Sequence, residues 1–179
     1  MNSGTLVRWI TSWLEQSLLK RAPQEDAFSY PALAGALSAY VGIDLLQAIS
    51  SSPWPTAWAI TLVDTLAMVA FAWVVLQLTG KSPRLVQTLT ALAGTGVVLG
   101  LVGLPLVLQA ARAQQLGEMP ASLAIGWLLM LAWSIAVQAH IFRHALTTRY
   151  GLGLVLAGLH TVLAFGLLEV FFPALMGSG

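Results

Sequence analysis

Two aspartates, Asp44 and Asp64, sit inside stretches that otherwise carry almost no charge. An ionised side chain in lipid costs several kcal/mol, so each calls for a function or a partner. Asp44 shares a helical face with Tyr40 and approximately with Gln47, while Asp64 has Thr61 and Thr65 beside it. Those neighbours can donate to a carboxylate or accept from a protonated acid. The stretches meet at a turn near Pro53, which sets both acids roughly 9–12 Å below the same boundary. Two acids at one depth could bind a cation or pass protons. Equally, they could form a buried network that fixes how the helices pair, with at least one acid protonated by desolvation and mutual repulsion.

His140 and His144 lie four apart with Arg143 beside them, a spacing that places both rings on one helical face and would suit a metal or haem iron. No His-Glu-x-x-His pattern accompanies them, and no acid nearby in sequence completes a ligand shell. Basic residues marking a membrane interface account for both. His160 shares a face with Gly153, Ala157 and Ala164. Small-residue faces seek other helices, so His160 is expected to point into a bundle and to bond a threonine or a backbone carbonyl there. Glu169 is on the opposite face and about one turn from the helix end, within reach of water. Gly-x-Ser-x-Gly and Gly-x-Gly-Asp are both missing from the chain, and Ser134 has no base at matching depth. The sequence thus predicts no catalytic, cofactor-binding or metal residue, and no enzyme.

These groups need helices that cross a bilayer. Of the 179 residues, 58% are hydrophobic and 8% charged, against about 25% charged in soluble domains. Lipid must therefore solvate most of the surface. A net charge of +1 without a basic patch beyond short loops argues against nucleic acid. Cysteine is absent, which removes disulfides, thiolate catalysis and cysteine metal sites. The pattern predicts an all-α polytopic membrane protein with five spans, at about 30–50, 56–79, 84–108, 121–143 and 150–173. Together they make one transmembrane domain over 30–179. The middle span, Leu85–Leu108, runs roughly 24 residues without a charge, enough to cross a core of about 30 Å. Ala93, Gly96, Gly100 and Gly103 fall on one of its faces, where another helix can approach closely. Pro105 is expected to kink or end this span, leaving Gln109–Pro120 as the longest loop. Trp54, Trp58 and Trp127 fall near boundaries on one side, as interfacial anchors do.

Residues 1–21 form an amphipathic segment, with Leu6, Trp9, Ile10, Trp13 and Leu14 on one side and Arg8, Thr11 and Glu15 on the other. Such a helix either lies in the headgroup layer or packs against the bundle. Arg8 and Glu15 interrupt its apolar run, so no secretory signal is expected. Residues 22–29, with Pro23 and the acidic Glu25 and Asp26, read as a linker. In a five-span arrangement Arg8, Lys20, Arg21, Lys81, Arg84, Arg143 and Arg149, seven of the eight basic residues, share one side, leaving only Arg112 on the other. Basic loops stay in the cytoplasm, which puts the amino terminus inside and the carboxyl terminus outside.

Three stretches carry a likeness to a known family: Leu85–Leu108, Trp133–Leu146 (WSIAVQAHIFRHAL), and the last span beginning GLGLVLAGLH. The chain resembles the YIP-type family of small five-span membrane proteins, in particular its proteobacterial members. The resemblance implies the five-helix architecture and a bacterial inner membrane. Eukaryotic members bind small Rab GTPases through cytosolic regions, and that partner is not carried over to a chain with so short an arm. The expected role is a non-enzymatic accessory or scaffold protein whose partners are the bilayer and other membrane proteins or further copies of itself. The alternative is a small transporter or channel subunit in which Asp44 and Asp64 handle protons or cations.

Overall fold

The helices begin and end at the prolines and glycines that the sequence offers as punctuation. The computed structural model describes residues 3–117 and 120–173. Residues 1–2 of the amino-terminal segment, 118–119 of the expected long loop and 174–179 of the expected transmembrane domain lie outside them. The described residues form six α-helices and no strand: α1 (Ser3–Ser17), α2 (Tyr30–Ala48), α3 (Trp54–Leu78), α4 (Leu85–Leu116), α5 (Ala121–Leu146) and α6 (Tyr150–Phe171). Short 3-10 turns at Pro23–Glu25 and Ser82–Arg84 precede α2 and α4. Ser29 caps α2 by accepting from the Ala32 amide at 3.2 Å, with Pro31 in the first turn. Gly80 and Gly117 adopt φ of +68° and +69° just beyond α3 and α4, the left-handed step that turns a chain out of a helix.

Helices α3 to α6 are each long and apolar enough to cross a membrane. Helix α2, at 19 residues, is diluted by Tyr40, Asp44 and Gln47. Of the kink or end expected at Pro105, the end does not occur: α4 continues through it to Leu116, for 32 residues in all. Most of the expected loop is therefore helix. Proline disturbs only the turn before it, and the following LVLQAARAQQL keeps its own backbone bonds and is rich in helix formers. At 1.5 Å per residue α4 is about 48 Å long, so it must tilt or project beyond the hydrocarbon core.

Helix α4 is the hub, packing against α1, α2, α3 and α5, while α2 pairs with α3, α3 with α6 and α6 with α5. The close contacts concentrate at the basic end, where α3 and α5 finish and α4 and α6 begin. Trp13, Ala36, Met68, Ala72, Leu92, Val137, Ile141 and Phe142 form one buried cluster there, and Leu76, Ala145 and Leu146 belong to a second. Phe71 and Phe142 meet edge to face at 5.7 Å. Helix α6 can approach α5 because Gly153 has no side chain; a Cβ there would collide with the Ala139 carbonyl.

Helix α1 packs against the bundle, one of the two arrangements left open for it. Its tryptophans turn inward: Trp13 lies over Gly94 of α4 and Trp9 over Gly35 of α2. Leu6, Val7, Ile10, Leu14 and Leu18 stay exposed in a row along the adjacent face. The expected single apolar side is thus divided, one part serving the bundle and the other its surroundings.

Candidate functional site

Five of the six expected polar residues lie on α2 and α3, and the sixth, His160, on α6. The Tyr40 hydroxyl donates to Asp64 Oδ2, tying the helices through their side chains. Thr61 stands beside Asp44. Asp44 Oδ2, Thr61 Oγ1 and Thr65 Oγ1 are all buried without a hydrogen-bond partner among the described residues. His160 of α6 is within electrostatic range of Asp64 and lies against Phe71, with ring centroids 5.2 Å apart. Its bonding partner is neither the threonine nor the carbonyl expected. His160 Nδ1 lies 2.7 Å from Gln138 Oε1 of α5, so Nδ1 carries the proton and Nε2 is left as a buried acceptor without a partner. Leaving a buried polar atom unsatisfied costs about 1–3 kcal/mol. Four such atoms in one region are a local cost to stability; three more, on Gln16, Arg21 and Gln24, lie at the basic end.

This network borders a cavity of about 780 Å³ between α2, α4 and α5. Tyr40, Asp44, Gln47, Ser134 and Gln138 supply its polar wall, and Leu99, Leu128, Leu131 and Phe165 much of its apolar one. Trp127, expected as an interfacial anchor, also lines it. The cavity occupies the half of the bundle far from the basic end. Chemically the wall offers a carboxylate oxygen, a phenol and amides, a donor set able to hold a proton, a small cation or the polar part of an apolar ligand. No group of three or more His, Asp or Glu residues placed to hold a metal occurs among the described residues.

The glycines of α4 shape this region as their spacing predicts. A Cβ on Gly96 would collide with Tyr40, and one on Gly100 with Ile43, so both glycines admit α2. With the backbone laid bare, Gln47 Nε2 donates to the Gly100 carbonyl at 2.7 Å. Gly103 faces only Met130, at an ordinary 3.4 Å, and lines the cavity.

At the basic end the residues expected as a linker are built into the bundle. Asp26 accepts from Ser12 at 2.5 Å and from Gln16 at 2.6 Å and pairs with Arg21 at 3.0 Å. Arg21 also bonds Glu15 at 3.2 Å. That bond, with Asp26 and Glu25 nearby, raises the Arg21 pKa above the ordinary guanidinium value, so the arginine stays charged. Gln87 Nε2 donates to the Asp26 carbonyl at 2.7 Å, and Trp133 Nε1 to the Ser17 carbonyl at 2.9 Å. His140 Nε2 lies 3.1 Å from the Arg21 carbonyl. His140 is therefore buried against the end of the amino-terminal segment, and His144 stacks edge to face on it at 4.5 Å. No family model, curated protein or solved structure matches the chain.

Proposed function

We propose that the chain is a five-span protein of the bacterial inner membrane that acts as a non-enzymatic accessory or scaffold protein beside other membrane proteins or further copies of itself. The amino terminus is cytoplasmic and the carboxyl terminus outside. Helix α2 serves as the fifth span: 19 residues reach about 28 Å, close to the hydrocarbon thickness. Its polar residues, which lower its hydropathy, turn toward α3, α4 and the cavity and away from lipid. The exposed row Leu6, Val7, Ile10, Leu14 and Leu18 suits an interfacial placement of α1 on the cytoplasmic leaflet. The YIP-type likeness belongs to the same reading and supplies the architecture alone.

The observation that carries the scaffold role is the contrast between an apolar cluster packed tightly toward the basic end and a large, mostly apolar cavity in the far half. Trp13, Leu92, Val137 and Phe142 are buried together at the basic end and none of them lines the cavity, which supports reading it as a receptacle and not a path across the membrane. A receptacle of about 780 Å³ admits side chains of a neighbouring helix or a lipid tail. Proton or cation handling is the second reading, favoured by the unpartnered Asp44 oxygen on the cavity wall.

Two measurements test these statements. A reporter fused after Gly179 should be active only outside the cytoplasm, and one placed in 80–83 only inside; a cytoplasmic carboxyl terminus would overturn the five-span topology. Proteoliposomes of the wild type should pass neither protons nor sodium ions. Flux that is present in the wild type and lost in a well-folded Asp44→Asn variant would replace the scaffold role by the second reading.

A further inference from the structure

A second polar cavity, of about 430 Å³, lies at the basic end, between the end of α5, the turn leading into α4 and the amino-terminal linker. Gln24, Arg84, Arg143, His144, Thr147 and Thr148 line it, and no acid is among them. Arg84 is held from behind. Its Nη1 donates to the His144 carbonyl at 3.2 Å, the Ala145 carbonyl at 2.8 Å and Thr147 Oγ1 at 2.6 Å. These bonds fix the plane of the guanidinium while Nη2 and Nε make no hydrogen bond to the described residues, a rigid fork with donors to spare.

Thr147 is part of the arrangement. It is β-branched yet has φ of +55°, a conformation such residues rarely adopt, and it is the residue whose hydroxyl meets Arg84. Arg143 is exposed on the same wall, and every salt bridge among the described residues belongs to Arg21 instead. The acid nearest in effect is Glu25, within electrostatic range of His144 but committed through Oε1 to the Ala22 amide at 3.0 Å. An unpartnered acceptor completes the wall: Gln24 Oε1 is buried without a partner among the described residues, while its Nε2 donates to the His144 carbonyl.

We propose that this cavity binds a glycerophosphate group, with the phosphate on Arg84 and Arg143 and a neighbouring hydroxyl donating to Gln24 Oε1. The charge pattern selects an anion whose geometry suits bidentate arginine, which is phosphate or carboxylate. The buried and unpartnered acceptor on Gln24 favours an anion that also carries a hydroxyl. The position, at the helix ends where the apolar spans stop, is the depth of lipid headgroups. A lipid headgroup and a soluble glycerophosphate share this chemistry.

The test uses the full chain in a zwitterionic detergent, titrated with phosphatidylglycerol, phosphatidylcholine and soluble glycerol 3-phosphate and followed by mass spectrometry of the intact complexes. Phosphatidylglycerol should bind on the order of 10-fold more tightly than phosphatidylcholine, and Arg143→Gln should weaken it about five-fold. Arg143 is the residue to change because Arg84 also holds the end of α5. Arg112→Gln, at the far end, should leave binding unchanged. Competition by glycerol 3-phosphate at comparable concentration would assign the site to a soluble ligand; binding of the lipid alone would assign it to the headgroup. Both outcomes support a glycerophosphate site. Equal binding of the two lipids with none of glycerol 3-phosphate, or binding indifferent to Arg143→Gln, would overturn it.

Discussion

The basic half and the far half of the bundle meet the same difficulty, holding helices together without a hydrophobic difference between core and lipid, in opposite ways. At the basic end the backbones close in. Gly153 rides on Ala139 and Gly94 receives Trp13, and Gln24, Gln87, Trp133 and Arg84 clamp segments far apart in the chain. In lipid, close packing and polar bonds are what associate helices. The far half keeps a cavity whose wall includes the unpartnered Asp44 Oδ2. Buried unpartnered polar atoms occur in both regions, on Gln16, Arg21 and Gln24 at the basic end and on Asp44, Thr61, Thr65 and His160 in the other network, so close packing and not polar satisfaction separates the two halves.

The contrast is best attacked at its tightest point. Gly153→Leu places a side chain against the Ala139 backbone, which cannot rotate away, so destabilisation should exceed the usual overpacking cost of about 1–3 kcal/mol. The check is thermal unfolding in detergent; a variant as stable as the wild type would show that α5 and α6 are not locked. Arg84→Gln removes the guanidinium clamp on the end of α5 and should cost about 1.5–3 kcal/mol, the worth of a hydrogen bond to a charged group. Loss should appear first as faster hydrogen exchange in the last turn of α5.

The far half should respond more weakly. Tyr40→Phe removes the donor to Asp64 and should cost about 1–3 kcal/mol, with Asp64→Leu worse than Asp64→Asn because the amide keeps its hydrogen-bonding capacity. Equal effects of Asn and Leu would mean that the network contributes nothing to helix pairing. The smallest effect is expected at Gly103. A Cβ there meets Met130 at 3.4 Å, and Gly103→Ala should be neutral or stabilising by up to about 1 kcal/mol through helix propensity. Gly100→Leu, pressed against Ile43 and Gln47, should fall well below it in stability. Similar tolerance of Gly100→Leu and Val98→Leu would mean that α4 does not use this face for α2.

Much of this could be read from residues alone. Proline and glycine act on their own backbone, so Pro31, Pro53 and Gly80 mark helix ends without help from the rest of the chain, whereas the end of α4 at Gly117 was hidden behind Pro105. The small faces of α4 and α6 follow from spacing, and Gly96, Gly100, Gly153 and His160 all turn inward as that spacing requires. Asp44, Asp64 and Tyr40 were legible as a group because a hairpin brings equal depths together.

Tertiary structure decided the rest. A membrane helix is apolar toward lipid and apolar toward its core, so periodicity carries little information about which way it is rotated. That is why Trp9 and Trp13 could be grouped with Leu6 and Ile10, when the tryptophans belong to the bundle and the leucine and isoleucine to its surface. Partners joined across long separations were equally hidden: Gln138 for His160, and Arg21 for His140. A polar side chain advertises that it needs a partner, but only the packing of helices chooses which one. The uneven filling of the two halves is of the same kind, since it depends on where six helices converge and not on any one of them.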